Sequence, residues 1–171
     1  MKTSRKYQPT AIIFYNIQMS IIINFQPRHS KAFKELNEHW IKTYFELEEA
    51  DRIVLEDPES YILQKGGSIF VALEQEEVIG VCALLRREDP VYPLELAKMA
   101  VAKSARGKGI GYQLGQAVIA KAKDLNEDWL YLESNSILKP AIALYQKLGF
   151  EQITGKTTPY QRCNIQMHLK L

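Results

Sequence analysis

Six consecutive residues, Arg106-Gly107-Lys108-Gly109-Ile110-Gly111, have the composition of a loop that holds a phosphate through its main chain. Glycines at alternate positions permit φ > 0, so successive N–H groups can turn toward one ligand. A helical pattern follows from about residue 109, and the first N–H groups of a helix have no partners within it. Arg106 and Lys108 add positive charge. The expected ligand is a diphosphate. Two common phosphate loops do not fit. In the dinucleotide pattern Gly-x-Gly-x-x-Gly, the third glycine would fall on Tyr112 or Leu114. The nucleotide pattern Gly-x-x-x-x-Gly-Lys-Ser/Thr would need glycine at Ala102 and a hydroxyl at Gly109.

The spacing that does fit is Gln/Arg-x-x-Gly-x-Gly/Ala. The run Leu94-Glu-Leu-Ala-Lys-Met-Ala-Val101 precedes it, and Pro140-Ala-Ile-Ala-Leu-Tyr-Gln-Lys-Leu-Gly-Phe150 follows. Together these resemble the coenzyme A loop and the later Ala-x-x-Leu-Tyr-x-x-x-Gly-Phe helix of the GCN5-related N-acetyltransferase (GNAT) superfamily. The resemblance is carried by residues 68–150 and extends from Met19 to the end. It implies acetyl-CoA as acyl donor and direct transfer of its acetyl group to a primary amine of a small molecule or a protein.

The resemblance also assigns roles. Backbone groups of Met99, Ala100 and Val101 would pair with pantetheine, and N–H groups from Gly107 to Gly111 would hold the pyrophosphate. Tyr145 would protonate the departing thiolate as general acid; otherwise it is a core tyrosine on the face of Ala141 and Leu148. Glu95 would take the proton from the amine; otherwise it is a solvated strand carboxylate. Strict alternation would put Glu95 on the face of Ala97, Met99 and Val101. Glu133 is the second candidate base. Asn135 is a candidate pantetheine contact or a turn residue. Many relatives carry Asn seven residues before the tyrosine, where this chain has Leu138. A non-catalytic CoA-binding sensor or interaction module with the same fold is the competing reading.

The surrounding pattern supplies the elements that must position these groups. Strands are expected over 21–25, 68–73, 78–85, 94–101, 129–132 and 164–171. Phe33, Leu36, Trp40, Ile41, Tyr44 and Leu47 recur at helical spacing after an N-cap at Ser30. Pro58 opens a second short helix. Ile110, Leu114, Ala117, Val118, Ala122 and Leu125 make one apolar face of a helix over 109–125. A helix over 140–148 ends with Gly149 at C′ and Phe150 at C″. The result is an α/β fold of mixed α+β character: one sheet of six to seven strands flanked by about four helices. The middle hairpin is antiparallel, and the alternating second half implies parallel pairing. The resemblance adds a splay at the centre of the sheet. Acceptor pockets of such proteins involve the first helices, here Trp40, Tyr44, Phe45, Glu48, Glu49, Asp51 and Arg52, whose acids could attract a cationic amine.

The 171 residues suit one domain over 19–171 with a peripheral extension over 1–18, and Met19 is a candidate start. A net charge of +2, with no long basic run, gives no support to a nucleic-acid or membrane-surface role. Residues 11–25 are apolar but interrupted by Asn16, Gln18, Ser20 and Asn24, too short and polar to span a bilayer. Cys82 and Cys163 stand apart, and the three histidines make no metal-ligand spacing, so no metal is expected. Reduced thiols suggest a cytoplasmic protein. Monomer and homodimer are both open.

Overall fold

The apolar run from Val78 to Leu85 lies in β3 (Glu77–Arg86), near the middle of a seven-stranded sheet. Both its faces are covered, as such a continuous run requires. The structure is a computed structural model that describes residues 20–171. The expected extension over 1–18 and the candidate start at Met19 lie outside the described residues.

The other strands are β1 (Ile21–Asn24), β2 (Ser68–Glu74), β4 (Leu94–Val101), β5 (Trp129–Ser134), β6 (Glu151–Ile153) and β7 (Ile165–Lys170). The helices are α1 (Ser30–Tyr44), α2 (Glu49–Glu56), α3 (Ile110–Asp124) and α4 (Lys139–Lys147). Strand order is β1-β2-β3-β4-β5-β7-β6. Among the described strands, only β4 and β5 pair in parallel. The expected parallel second half is therefore corrected: β7 inserts between β5 and β6 and is antiparallel to both.

Two cores sandwich the sheet. On one face Ile110, Leu114, Val118 and Ala122 of α3 pack on Leu84, Leu94, Leu96, Leu130 and Leu132. That is the apolar face the sequence predicts. On the other, Phe33, Ile41, Leu55 and Ile62 cover Ile69, Val71, Val81 and Ala83. The first helix stops earlier than its spacing suggests. Phe45 turns extended (φ −146°), and Leu47 belongs to the connector. A separate α2 then begins, with the Asp51 carboxylate accepting the Glu48 N–H at 3.3 Å. Phe45 and Leu47 still bury against the same core, which is why their periodicity runs through the break. The helix expected after Pro58 is a single wide turn, Glu59–Leu63.

Two irregularities make the site. First, β4 carries a bulge. Ala97 pairs with Ala83, but the next pair is Ala100 with Val81, and Lys98 has φ +51°. One extra residue shifts the alternation. Leu94, Leu96, Met99 and Val101 face α3, whereas Ala100 faces α1. Glu95 therefore does not share a face with Met99 and Val101, contrary to the expectation from strict alternation. Second, β4 and β5 pair only at Leu94–Leu130 and Glu95–Tyr131. Beyond that point they part and open a cleft. Among the described residues, no helix is long and apolar enough to cross a membrane.

Candidate functional site

The Gly-rich loop follows directly on β4, beyond the point where β4 and β5 stop pairing. Ala105 is buried beneath it, and Lys103–Ala105 form a short 3-10 turn that sets its path. Gly107 and Gly109 have φ of +78° and +79°, and a Cβ on either would meet nothing within 4 Å. Their left-handed backbone, not crowding, is what demands glycine. Gly111 differs from the expectation. It sits in the first turn of α3 with no positive φ, and a Cβ there would lie 3.0 Å from Leu144 Cδ2. Its absent side chain lets α3 and α4 approach.

The first α3 hydrogen bond runs from Gln113 N–H to Gly109 O. The amides of Ile110, Gly111 and Tyr112 thus have no acceptor in the helix, and those of Gly107 and Gly109 have no backbone partner among the described residues. Five main-chain donors at a helix N-terminus make an anion site. The side chains contribute less than their charges suggested. Arg106 Nε donates to Val101 O at 3.4 Å, and Lys108 Nζ pairs with Glu74 at 3.2 Å.

Ala102 N–H donates to Ile79 O, so residues 100 and 102 address β3. By antiparallel geometry the amides of Met99 and Val101 turn toward the gap left by β5. Ala100 turns its backbone to β3, so of the three residues only Met99 and Val101 turn their amides away from β3, and of the three only Met99 lines the cleft.

Tyr145 and Glu95 line one cleft between β4 and β5. Gly149 (φ +98°) ends α4 in a Schellman turn: Phe150 N–H donates to Tyr145 O and Gly149 N–H to Gln146 O, each at 3.0 Å. Phe150 then packs edge-on against Tyr145, centroids 6.2 Å apart, and fixes its ring. Tyr145 is 9% exposed, and its hydroxyl makes no hydrogen bond among the described residues. Burial holds the phenol well above its ordinary range. It remains a neutral donor.

Glu95 enters the cleft from β4 with its side chain 13% exposed. Burial pushes its carboxyl up to about 7; Arg87, whose Nη1 is 3.4 Å from Oε2, opposes the rise, and Glu133 adds to it. Glu133 also lines the cleft. It accepts hydrogen bonds from Tyr131 OH at 2.9 Å and Thr158 Oγ1 at 2.6 Å. Asn135 lies on the wall too, but its side chain braces loops: Nδ2 donates to Arg162 O, and Oδ1 accepts from Ile137 N–H at 3.0 Å. Leu138 stands buried on the same wall.

The structure adds residues that the sequence did not single out. Lys98, lifted by the bulge, is 6% exposed and donates to Asp51 Oδ1 and Tyr160 OH, both at 2.8 Å. Arg162 grips Asp51 with two bonds of 2.7 and 2.9 Å and reaches Glu48 at 2.9 Å. Burial works against the ionised Asp51, but Arg162 and Lys98 outweigh it and hold its carboxyl below the usual range. Glu48 and Asp51 are thus engaged within the protein and are not free to attract an amine. Of the first-helix residues named above, Trp40, Phe45 and Asp51 line the cleft. The one available signal was a lysine inside an apolar strand. Cys82 is fully buried, and burial raises its thiol far above the ordinary range, which leaves it inert. Among the described residues, no cluster of His, Cys, Asp or Glu could hold a metal.

The family model for an acetyltransferase (GNAT) domain matches residues 65–152, more than half of the chain. The chain belongs to the GNAT acetyltransferase family. The match runs from just before β2 into β6, so it covers the GNAT loop, the splay and α4 together. A relative, N-acetylaspartate synthetase from Danio rerio, is 38% identical over 105 residues, 61% of this chain and 36% of that protein. The chain spans between 36% and 54% of the length of the first curated relatives it matches. The fold is that of an acetyltransferase of the GNAT family from Staphylococcus aureus Mu50, with a TM-score of 0.79, 23% identity, and coverage of 89% of this chain and 99% of that one. A Bacillus subtilis acetyltransferase in complex with CoA superposes with a TM-score of 0.67 at 23% identity, covering 90% and 99%. The splayed GNAT sheet expected from the sequence is thus present.

Proposed function

We propose that this chain is an acetyl-CoA-dependent N-acetyltransferase that moves the acetyl group directly to a primary amine. The observation that carries the reading is one cleft at the parting of β4 and β5, lined by both Tyr145 and Glu95. The five unpartnered amides at Gly107 and Gly109 through Tyr112 suit a pyrophosphate, and the open space around Gly107 and Gly109 leaves it room. The CoA bound by the Bacillus subtilis neighbour is consistent with that fit.

The chain's own groups divide the work. The Met99 and Val101 backbone groups bind and orient pantetheine, and an N–H near Met99 stabilises the developing oxyanion. Glu95 removes a proton from the acceptor ammonium, because only a neutral amine attacks. Its carboxyl, titrating near 7, is suited to that task. Tyr145 donates its hydroxyl proton to the departing sulfur and is restored by the second proton, which the nitrogen loses as the amide forms. With acceptor and thioester held together, no covalent enzyme intermediate is needed.

Thiol release from acetyl-CoA with a panel of amines tests the reading. Glu95→Gln and Tyr145→Phe should each lower kcat. CoA binding with no transfer to any amine would instead point to a non-catalytic CoA sensor.

A further inference from the structure

Charge in the cleft is distributed unevenly. Lys98 and Arg162 are the cations on its wall, and both are bound to Asp51. Arg162 is also held by Glu48. Arg87 does not line the cleft; its Nη1 is buried behind Glu95 with no hydrogen-bond acceptor. Glu133 lines the cleft, yet its only partners among the described residues are the hydroxyls of Tyr131 and Thr158. Among the described residues, every cation here has an acid, and one acid, Glu133, has no cation.

The acceptor end is also closed over. The chain between β6 and β7 reaches across to α2 and its cap. Arg162 binds Asp51, and Gln161 N–H donates to Glu48 at 3.1 Å. On the other side, Thr158 ties the same segment to Glu133 on β5. Tyr160 rests on Lys98 between them. A groove bridged in this way does not run through for an extended peptide. Trp40 and Phe45 supply apolar wall for a short carbon chain.

We infer that the acceptor is a small amine with no carboxylate beside its amino group: a diamine or an amine of the decarboxylated amino-acid type. The inference rests on the acetyltransferase reading of the same cleft. An entering ammonium finds Glu95 and an unpaired Glu133. A neighbouring carboxylate would meet Glu133 with no free cation among the described residues to receive it, and like charges brought together in a half-buried cleft oppose binding.

The test uses the full chain with acetyl-CoA and matched acceptors: cadaverine against lysine, tyramine against tyrosine, and a lysine-containing peptide. Aspartate joins them, as the amino acid in the product for which the Danio rerio relative is named. Thiol release gives kcat/KM for each. The decarboxylated member of each pair should exceed its amino acid by at least about tenfold, the scale of one unfavourable charge contact. Glu133→Gln should shrink that ratio. Equal rates within pairs, a preference for aspartate, or faster transfer to the peptide would overturn the inference while leaving the acetyltransferase reading intact. Transfer to no amine would remove both. The wild-type ratios decide the matter even if the variant fails to fold.

Discussion

Arg87 Nη1 stands 3.4 Å from Glu95 Oε2, and its guanidinium lies 4.1 Å from the centre of the Tyr131 ring. The cation is thus held against the proposed base by an aromatic face and by its backbone N–H, which donates to Pro93 O. Lys98 and Glu133 also act on Glu95; Tyr160 faces it from the β6–β7 segment. If Glu95 must be ionised to work, kcat/KM should rise with pH through about 7. Arg87→Gln removes an opposing charge, so the acid limb should move to higher pH with the alkaline plateau retained. Arg87→Lys should restore much of the profile. A purely structural Arg87 would leave the limb in place.

Glu95 also ties stability to pH. Its carboxyl ionises near 7 when folded, against 4.5 in the unfolded chain. Between those values the folded state binds more protons, so stability falls as pH rises through the window. Glu95→Gln should therefore stabilise the fold above pH 7 by on the order of 1–3 kcal/mol. The gain should fade toward pH 4.5. It should be accompanied by a loss of roughly 10²-fold or more in kcat. Thermal melts and rates on one preparation check both.

Tyr145→Phe keeps the ring that Phe150 packs against and removes only the hydroxyl. We expect CoA affinity and Tm close to wild type and kcat lower by about 10²-fold. An unchanged kcat would return Tyr145 to the status of a core tyrosine.

Asp51 is fully buried and holds both Lys98 and Arg162. Asp51→Ala leaves two cations without their shared acid, and removal of one partner from a buried pair costs about 3–5 kcal/mol. Adding Lys98→Met and Arg162→Met should recover part of that loss, because the stranded charges go with it. Denaturant melts of the single and triple variants measure the difference.

Gly109→Ala forces φ +79° on a residue with a Cβ, at a strain of about 1–2 kcal/mol. The side chain itself would meet open space. The loop should relax, and CoA should bind roughly tenfold more weakly. Gly111→Ala should instead act on packing, since Leu144 must give way. Calorimetry with CoA and a melt of each variant separate the two effects.

The loop, α4 and the central hairpin could be read from sequence because each carries local chemistry. Glycines mark left-handed turns, and Gly149-Phe150 marks a helix stop. The bulge could not be read. It depends on how β3 and β4 pair, and Lys98 looks like an interruption of Leu94–Val101 until its ammonium finds Asp51, 47 residues away. Arg162 was hidden for the same reason, its partner lying 111 residues upstream. Asn135 could be placed at the cleft, but the residue that occupies its amide, Arg162, could not. The break after Tyr44 escaped notice because Phe45 and Leu47 keep the helical rhythm while the backbone leaves it.

One surplus residue in β4 separates two jobs along a single strand. Upstream of Lys98, the strand carries Glu95, the proposed proton acceptor, on its α1 side. Downstream, Met99 and Val101 turn their side chains toward α3 while their amides wait at the gap. On the proposed reading, a substitution that retunes acceptor choice near Glu95 can therefore leave donor binding untouched. Evolution could vary the recipient of the acyl group without rebuilding the grip on its carrier.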